Sequence, residues 1–166
     1  MINNKQVLSE DWTVVFLGFL LIITALLGIL IPTPSFAWES QIDLVEKVLS
    51  SNNLLKLAQV FAFTYVIAIF AARLLGKSIK ATVQGFPIVF ALTSLALILA
   101  GNAFLKNWNL EAVIFSLTIG LLLSNFFTLP GWLTESLSTE LFVKIGLILL
   151  GTSVIFGDIL KAGSLG

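Results

Sequence analysis

No cysteine and no histidine occur among the 166 residues. Their absence excludes disulfides, zinc sites built on Cys or His, cysteine nucleophiles and histidine general bases. A Ser-His-Asp triad is excluded with them. Charge is scarce as well. Only 11% of residues are charged, against about 25% in a soluble domain. Nine basic and nine acidic residues cancel formally, so nothing electrostatic points to a nucleic-acid partner. There is no P-loop and no dinucleotide fingerprint. The carboxylates are scattered along the chain, mostly at the edges of apolar runs, where solvation accounts for them. No cofactor is implied, and no catalytic constellation of an enzyme is present.

Apolar residues are plentiful, at 58% of the chain, with a mean hydropathy of +1.06. A water-soluble fold of this size could not hide so much apolar surface, because a small domain buries only part of what its chain exposes. Lipid removes that constraint. A spanning helix needs about 20 mostly apolar residues. Five segments meet or approach that length, at 12–31, 54–75, 86–105, 111–129 and 140–160. The expected fold is therefore an all-α integral membrane bundle of about five transmembrane helices in a single domain. The first segment holds fourteen Leu, Ile, Val or Phe residues. At about 0.3–0.6 kcal/mol each, these favour insertion by several kcal/mol. The fifth contains Lys144 and Asp158, which cost roughly 2.5–3.5 kcal/mol each at the bilayer centre and less near a helix end.

Ser35-Phe36-Ala37 has the small-x-small form of a leader cleavage site. The preceding apolar run exceeds a signal peptide's, and Glu10 and Asp11 stand where positive charge belongs, so the segment reads as a retained span. Pro32 and Pro34 end it. Residues 40–51 then read either as an amphipathic helix along the membrane interface or as an ordered extramembrane loop, with Ile42, Val45, Val48 and Leu49 on one side. Arg73, Lys77 and Lys80 cluster between the second and third spans without an acidic residue. The positive-inside rule puts that loop in the cytoplasm, the N-terminus with it, and the C-terminus outside.

Three features could carry function. Ser116, Gly120 and Ser124 recur every four residues on one helix face, a spacing that lets another helix approach. Asn102 and Asn125 lie near helix ends, where an Asn serves as interhelical glue, as a solvated end or as a substrate ligand. The fifth segment places Glu140 four residues before Lys144, the favourable order for a helical ion pair. Beyond it Gly146, Gly151, Thr152, Ser153 and Gly157 thin the helix and make it easy to break, as transporters do to aim backbone groups at an ion. Lys144 could attract an anion, or snorkel beside Glu140. Pro87 is expected in the first turn of the third span, where proline is tolerated.

Taken in order, Ser9-Glu10-Asp11-Trp12, Gly85-Phe86-Pro87, Gly101-Asn102, Gly120-Leu-Leu-Leu-Ser-Asn125 and Thr139-Glu140-Leu-Phe-Val-Lys144-Ile-Gly146-Leu-Ile-Leu-Leu-Gly151 resemble the YeiH-like family of bacterial membrane proteins, labelled sulfate exporters. The resemblance runs from about residue 9 to the C-terminus. It implies a multi-pass protein of the bacterial inner membrane, a secondary transporter of small anions such as sulfate, with an inverted-repeat fold. Lys144, Asn125, Ser153 and Glu140 are the substrate-site candidates, with Glu140 and Asp158 as proton carriers. The family pattern continues into further helices, so the match is to its N-terminal part. A truncated transporter, a homo-oligomer or a chain that pairs with another membrane protein would each satisfy that. The competing reading is a non-transporting subunit or scaffold that packs its small-residue faces against partner helices.

Overall fold

A computed structural model describes residues 9–28, 31–136, 143–145 and 147. Among them the fold is all-helical, with one isolated bridge between Trp38 and Asn102 and no strand. The helices are α1 (Glu10–Leu26), α2 (Gln41–Asp43), α3 (Ser51–Leu74), α4 (Ile79–Ala100), α5 (Ala103–Asn107), α6 (Ala112–Phe126) and α7 (Gly131–Ser136). A five-residue π-turn, Leu44–Val48, extends α2. The described residues fall into two compact units, one drawn from 9–28, 70–77, 143–145 and 147, the other from 31–69 and 78–136.

In the first unit, Ser9 caps α1 by accepting a hydrogen bond from the Trp12 amide. Glu10 and Asp11 follow in the first turn, where negative charge offsets the positive end of the helix dipole. Thr13, Val14 and Leu17 are buried, as are Ala71, Ala72, Leu75 and Ile145. Phe16 meets Phe70 at 6.3 Å between ring centres. The end of α3 is a Schellman motif. Gly76 sits at φ 65°, its amide bonds to the Arg73 carbonyl, and the Lys77 amide bonds to that of Ala72. A side chain at a positive φ is strained, and glycine escapes that strain.

The second unit holds most of α3 and all of α4, which among the described residues are the two helices long and apolar enough to cross a membrane. Their 24 and 22 residues span roughly 36 and 33 Å at about 1.5 Å per residue, against a hydrocarbon core of about 30 Å. The uncharged helix α6 is shorter, at 15 residues. Phe61 and Tyr65 of α3 stack on each other and meet Phe86 and Phe90 of α4. Helix α4 also packs on α6 and α7. The expected helix at 40–51 takes the form of α2 and its π-turn. Val48 is buried there, while Ile42 and Val45 are exposed.

The start of α4 corrects the reading of Pro87. Ser78, accepting from the Ala81 amide, begins the helix at Ile79. Pro87 therefore lies in the helix interior. A proline there has no N–H for the carbonyl four residues back, which is that of Val83. The Tyr65 hydroxyl donates to that carbonyl at 3.0 Å and replaces the missing bond. Tyr65→Phe is therefore expected to cost about 1–2 kcal/mol. In a Pro87→Ala background, where the Val83 carbonyl regains its helical partner, the cost should shrink. Unfolding in mild detergent of both single variants and the double variant measures the coupling; equal costs in the two backgrounds would refute the link.

Candidate functional site

Lys144 belongs to the first unit, and its ammonium lies 2.9 Å from a carboxylate oxygen of Asp11. The lysine side chain is about one-third exposed, at 34%, and that of Asp11 is 82% exposed. The helix start that Ser9 caps thus presents Asp11 to a cation 133 residues away in sequence. Helical spacing pointed to Glu140 as the partner; Glu140 and Ser153 lie outside the described residues. Asn125 belongs to the second unit. Its amide donates to the Leu121 carbonyl at 2.8 Å in the last turn of α6, and its side chain is exposed.

Asn102 has a structural role. Its side-chain oxygen accepts from the Phe104 and Leu105 amides and starts α5. It stands within a clamp that sequence reasoning missed. The extended stretch before α2 lies against the end of α4. Trp38 donates its amide to the Gly101 carbonyl at 3.1 Å and accepts from the Ala103 amide at 2.9 Å. Its indole N–H donates to the Ile98 carbonyl at 2.7 Å. Asn53, near the start of α3, holds the same stretch three residues earlier, at Ser35.

Beside the clamp is a shallow cavity of about 230 Å³, whose lining includes Glu39, Asp43, Lys47 and Lys106. The ammonium of Lys47 is 2.6 Å from the Asp43 carboxylate. That hydrogen bond holds the Asp43 carboxyl below its usual range and pushes Lys47 up. Two acids and two bases balance there, so the patch carries no net attraction for an anion. Among the described residues no three Asp or Glu side chains gather as a metal site would require.

A larger cavity, about 360 Å³, lies among α4, α6 and α7. Leu92 and Thr93 line it from α4, Ser116, Gly120 and Leu123 from α6, and Leu133 from α7. No lining side chain is charged. The Thr93 hydroxyl donates to the Val89 carbonyl and the Ser116 hydroxyl to that of Val113. Neither proton is left for an anion. The small residues of α6 open this space: a Cβ on Gly120 would meet nothing within 4 Å.

Two long apolar helices, a shorter one, and large side chains such as Phe19, Val66, Leu117 and Leu121 left outward are the features of a membrane protein, with lipid as the partner of its surface. The comparisons agree. The chain is similar to a UPF0324 membrane protein of Rhodopirellula baltica, 36% identical over 104 residues that make up 63% of this chain and 19% of that protein. It is also similar to two UPF0324 membrane proteins of Nitratidesulfovibrio vulgaris, 31% and 28% identical over 91 residues each, 55% of this chain and 16% of each relative. The chain thus spans less than a fifth of the length of these relatives. Their names state a membrane protein and no activity. No family model matches the chain, and no solved structure matches it.

Proposed function

We propose that this chain is part of a secondary transporter of small inorganic anions such as sulfate, in the bacterial inner membrane, with about five spans, a cytoplasmic N-terminus and an inverted-repeat architecture. The observation that carries the reading is the Lys144–Asp11 pair. A cation held by an exposed carboxylate can exchange partners. An arriving anion takes the place of Asp11 on the ammonium, and Asp11 turns to water at little cost because its side chain is already mostly exposed. In the empty state the pair keeps the lysine neutralised near the membrane edge. Energy comes from an ion gradient or from the substrate's own gradient, with Glu140 and Asp158 as the proton carriers. Ser153 is the further polar candidate of the same segment.

The test is uptake of labelled sulfate into liposomes containing the purified chain. Lys144→Ala should lower uptake about tenfold, the equivalent of one lost charge-assisted hydrogen bond. Asp11→Asn should retain uptake, since it removes the carboxylate that competes with the anion for the ammonium. Unchanged flux in Lys144→Ala would end the anion role of that residue.

A second reading, a non-transporting subunit, is favoured by one observation. Helix α6 has no buried residue, and Val113, Leu117 and Leu121 are each more than 60% exposed. Stoichiometric co-purification with another membrane protein, together with no flux from the chain alone, would support it.

A further inference from the structure

We propose that the cavity among α4, α6 and α7 is a binding site for a phospholipid acyl chain. Its chemistry selects hydrocarbon. The lining is uncharged, and both of its hydroxyls spend their protons on carbonyls of their own helices. Water would find too few partners to stay, since a buried water needs two to four polar contacts. An anion would find no donor. The volume of about 360 Å³ is more than twice the ~150 Å³ of an apolar cavity that takes up benzene, so it admits several methylenes in a row.

The surroundings name the source. Of the lining residues on α6, Ser116 and Gly120 are themselves exposed, and each directly precedes an exposed leucine, Leu117 and Leu121. The lining is thus continuous with the lipid-contacting surface of a membrane protein. Passing from the bilayer into the cavity gains an acyl chain no hydrophobic energy, because both places are apolar. The gain is dispersion: wall atoms that would otherwise face a void acquire neighbours. Gly120 creates the room, since a side chain built there would extend into open space.

The test uses the chain in nanodiscs made with a phospholipid that carries a photoreactive diazirine midway along one acyl tail. Labelled residues are then mapped by mass spectrometry. Leu92, Ile119 and Leu123 line the cavity and are half-buried, while Leu117 and Leu121 face outward. Chance contact with bulk lipid would therefore label the outward pair more. A seated acyl chain labels the cavity residues more, and Gly120→Phe removes that excess while Leu117 and Leu121 keep theirs. If Gly120→Phe fails to fold, Gly120→Leu fills the same space, and the wild-type labelling ratio stands as a test by itself. Labelling that follows exposure alone overturns the proposal, as does an excess that survives the filling substitution. The chain has no native thiol, so Gly120→Cys reports on a protein occupant: disulfide-linked pairs of chains would show a second copy at the cavity and overturn the lipid assignment.

Discussion

Gly101→Ala should destabilise the chain by about 3 kcal/mol or more, although its backbone gives no warning of it. Gly101 caps α4 at φ −72° and ψ −10°, a conformation open to any residue. At such a position Gly→Ala ordinarily stabilises by about 0.4–1 kcal/mol, because it restricts the unfolded chain. The sign reverses here for a steric reason. A Cβ on Gly101 would lie 1.7 Å from the carbonyl oxygen of Phe36 and 2.6 Å from its carbon. Those are backbone atoms and cannot rotate away. The extended stretch must lift off, and three hydrogen bonds of Trp38 go with it, to Gly101, Ala103 and Ile98. At about 1 kcal/mol each they account for most of the expected loss. Gly120→Ala is the matched control. A Cβ there meets nothing, so that variant should gain roughly 0.5–1 kcal/mol from helix propensity. Unfolding of both variants in the same detergent decides the matter; a stabilised Gly101→Ala would mean that the clamp does not hold in solution.

How much of this was legible in the sequence depends on the range of the interaction. The long helices were visible because insertion into lipid depends on composition summed over a run, as in α3 and α4. Their starts obey local capping chemistry. Ser9, Ser40, Ser78 and Asn102 each accept from an amide two or three residues on. Reading spans from uncharged runs overlooked Ser78, because the helix it begins carries Lys80 in its first turn. That omission placed Pro87 at a helix start, and it concealed the need for Tyr65 to supply a donor to Val83.

The pairings that matter most join distant segments, and no spacing rule reaches them. The ion pair of Lys144 with Asp11 spans 133 positions, beyond the reach of the i,i+4 rule that points Lys144 to Glu140, a residue outside the described ones. The stripe of Ser116 and Gly120 was readable as small residues on one face. Spacing alone does not say whether small residues admit a close helix or leave a space, because that depends on where the partner backbone lies. Around Gly120 they leave a space.

Asn53 was the least legible of the structural residues, and its replacement by Leu should cost about 3–5 kcal/mol. An Asn in the first turn of a helix looks like a solvated end. In the fold it is only 7% exposed, and its side chain makes three hydrogen bonds. The Ser35 amide donates to its oxygen at 2.7 Å, and its nitrogen donates to the carbonyls of Ser35 and Val48 at 2.8 Å each. Leucine matches the volume but leaves three backbone groups unpaired. A buried group left so costs about 1–3 kcal/mol, with the lower values applying where the stretch can relax toward solvent. Asn53→Asp separates hydrogen bonding from packing. At neutral pH the carboxylate still accepts from the Ser35 amide but faces two carbonyl oxygens with no proton to offer, so this variant should be about as unstable as the leucine one. Burial and those carbonyls would raise the folded-state pKa of the new carboxyl above its unfolded value of about 3.9. The folded state then binds the proton more tightly, so stability must rise as pH falls through that raised pKa, and a protonated Asp restores one of the two lost donors. Unfolding of Asn53→Asp and Asn53→Leu followed from pH 7 to pH 4 should therefore show the Asp variant gaining on the Leu variant in acid; parallel pH profiles would mean that the amide's two donated bonds contribute little to holding the segment before α2.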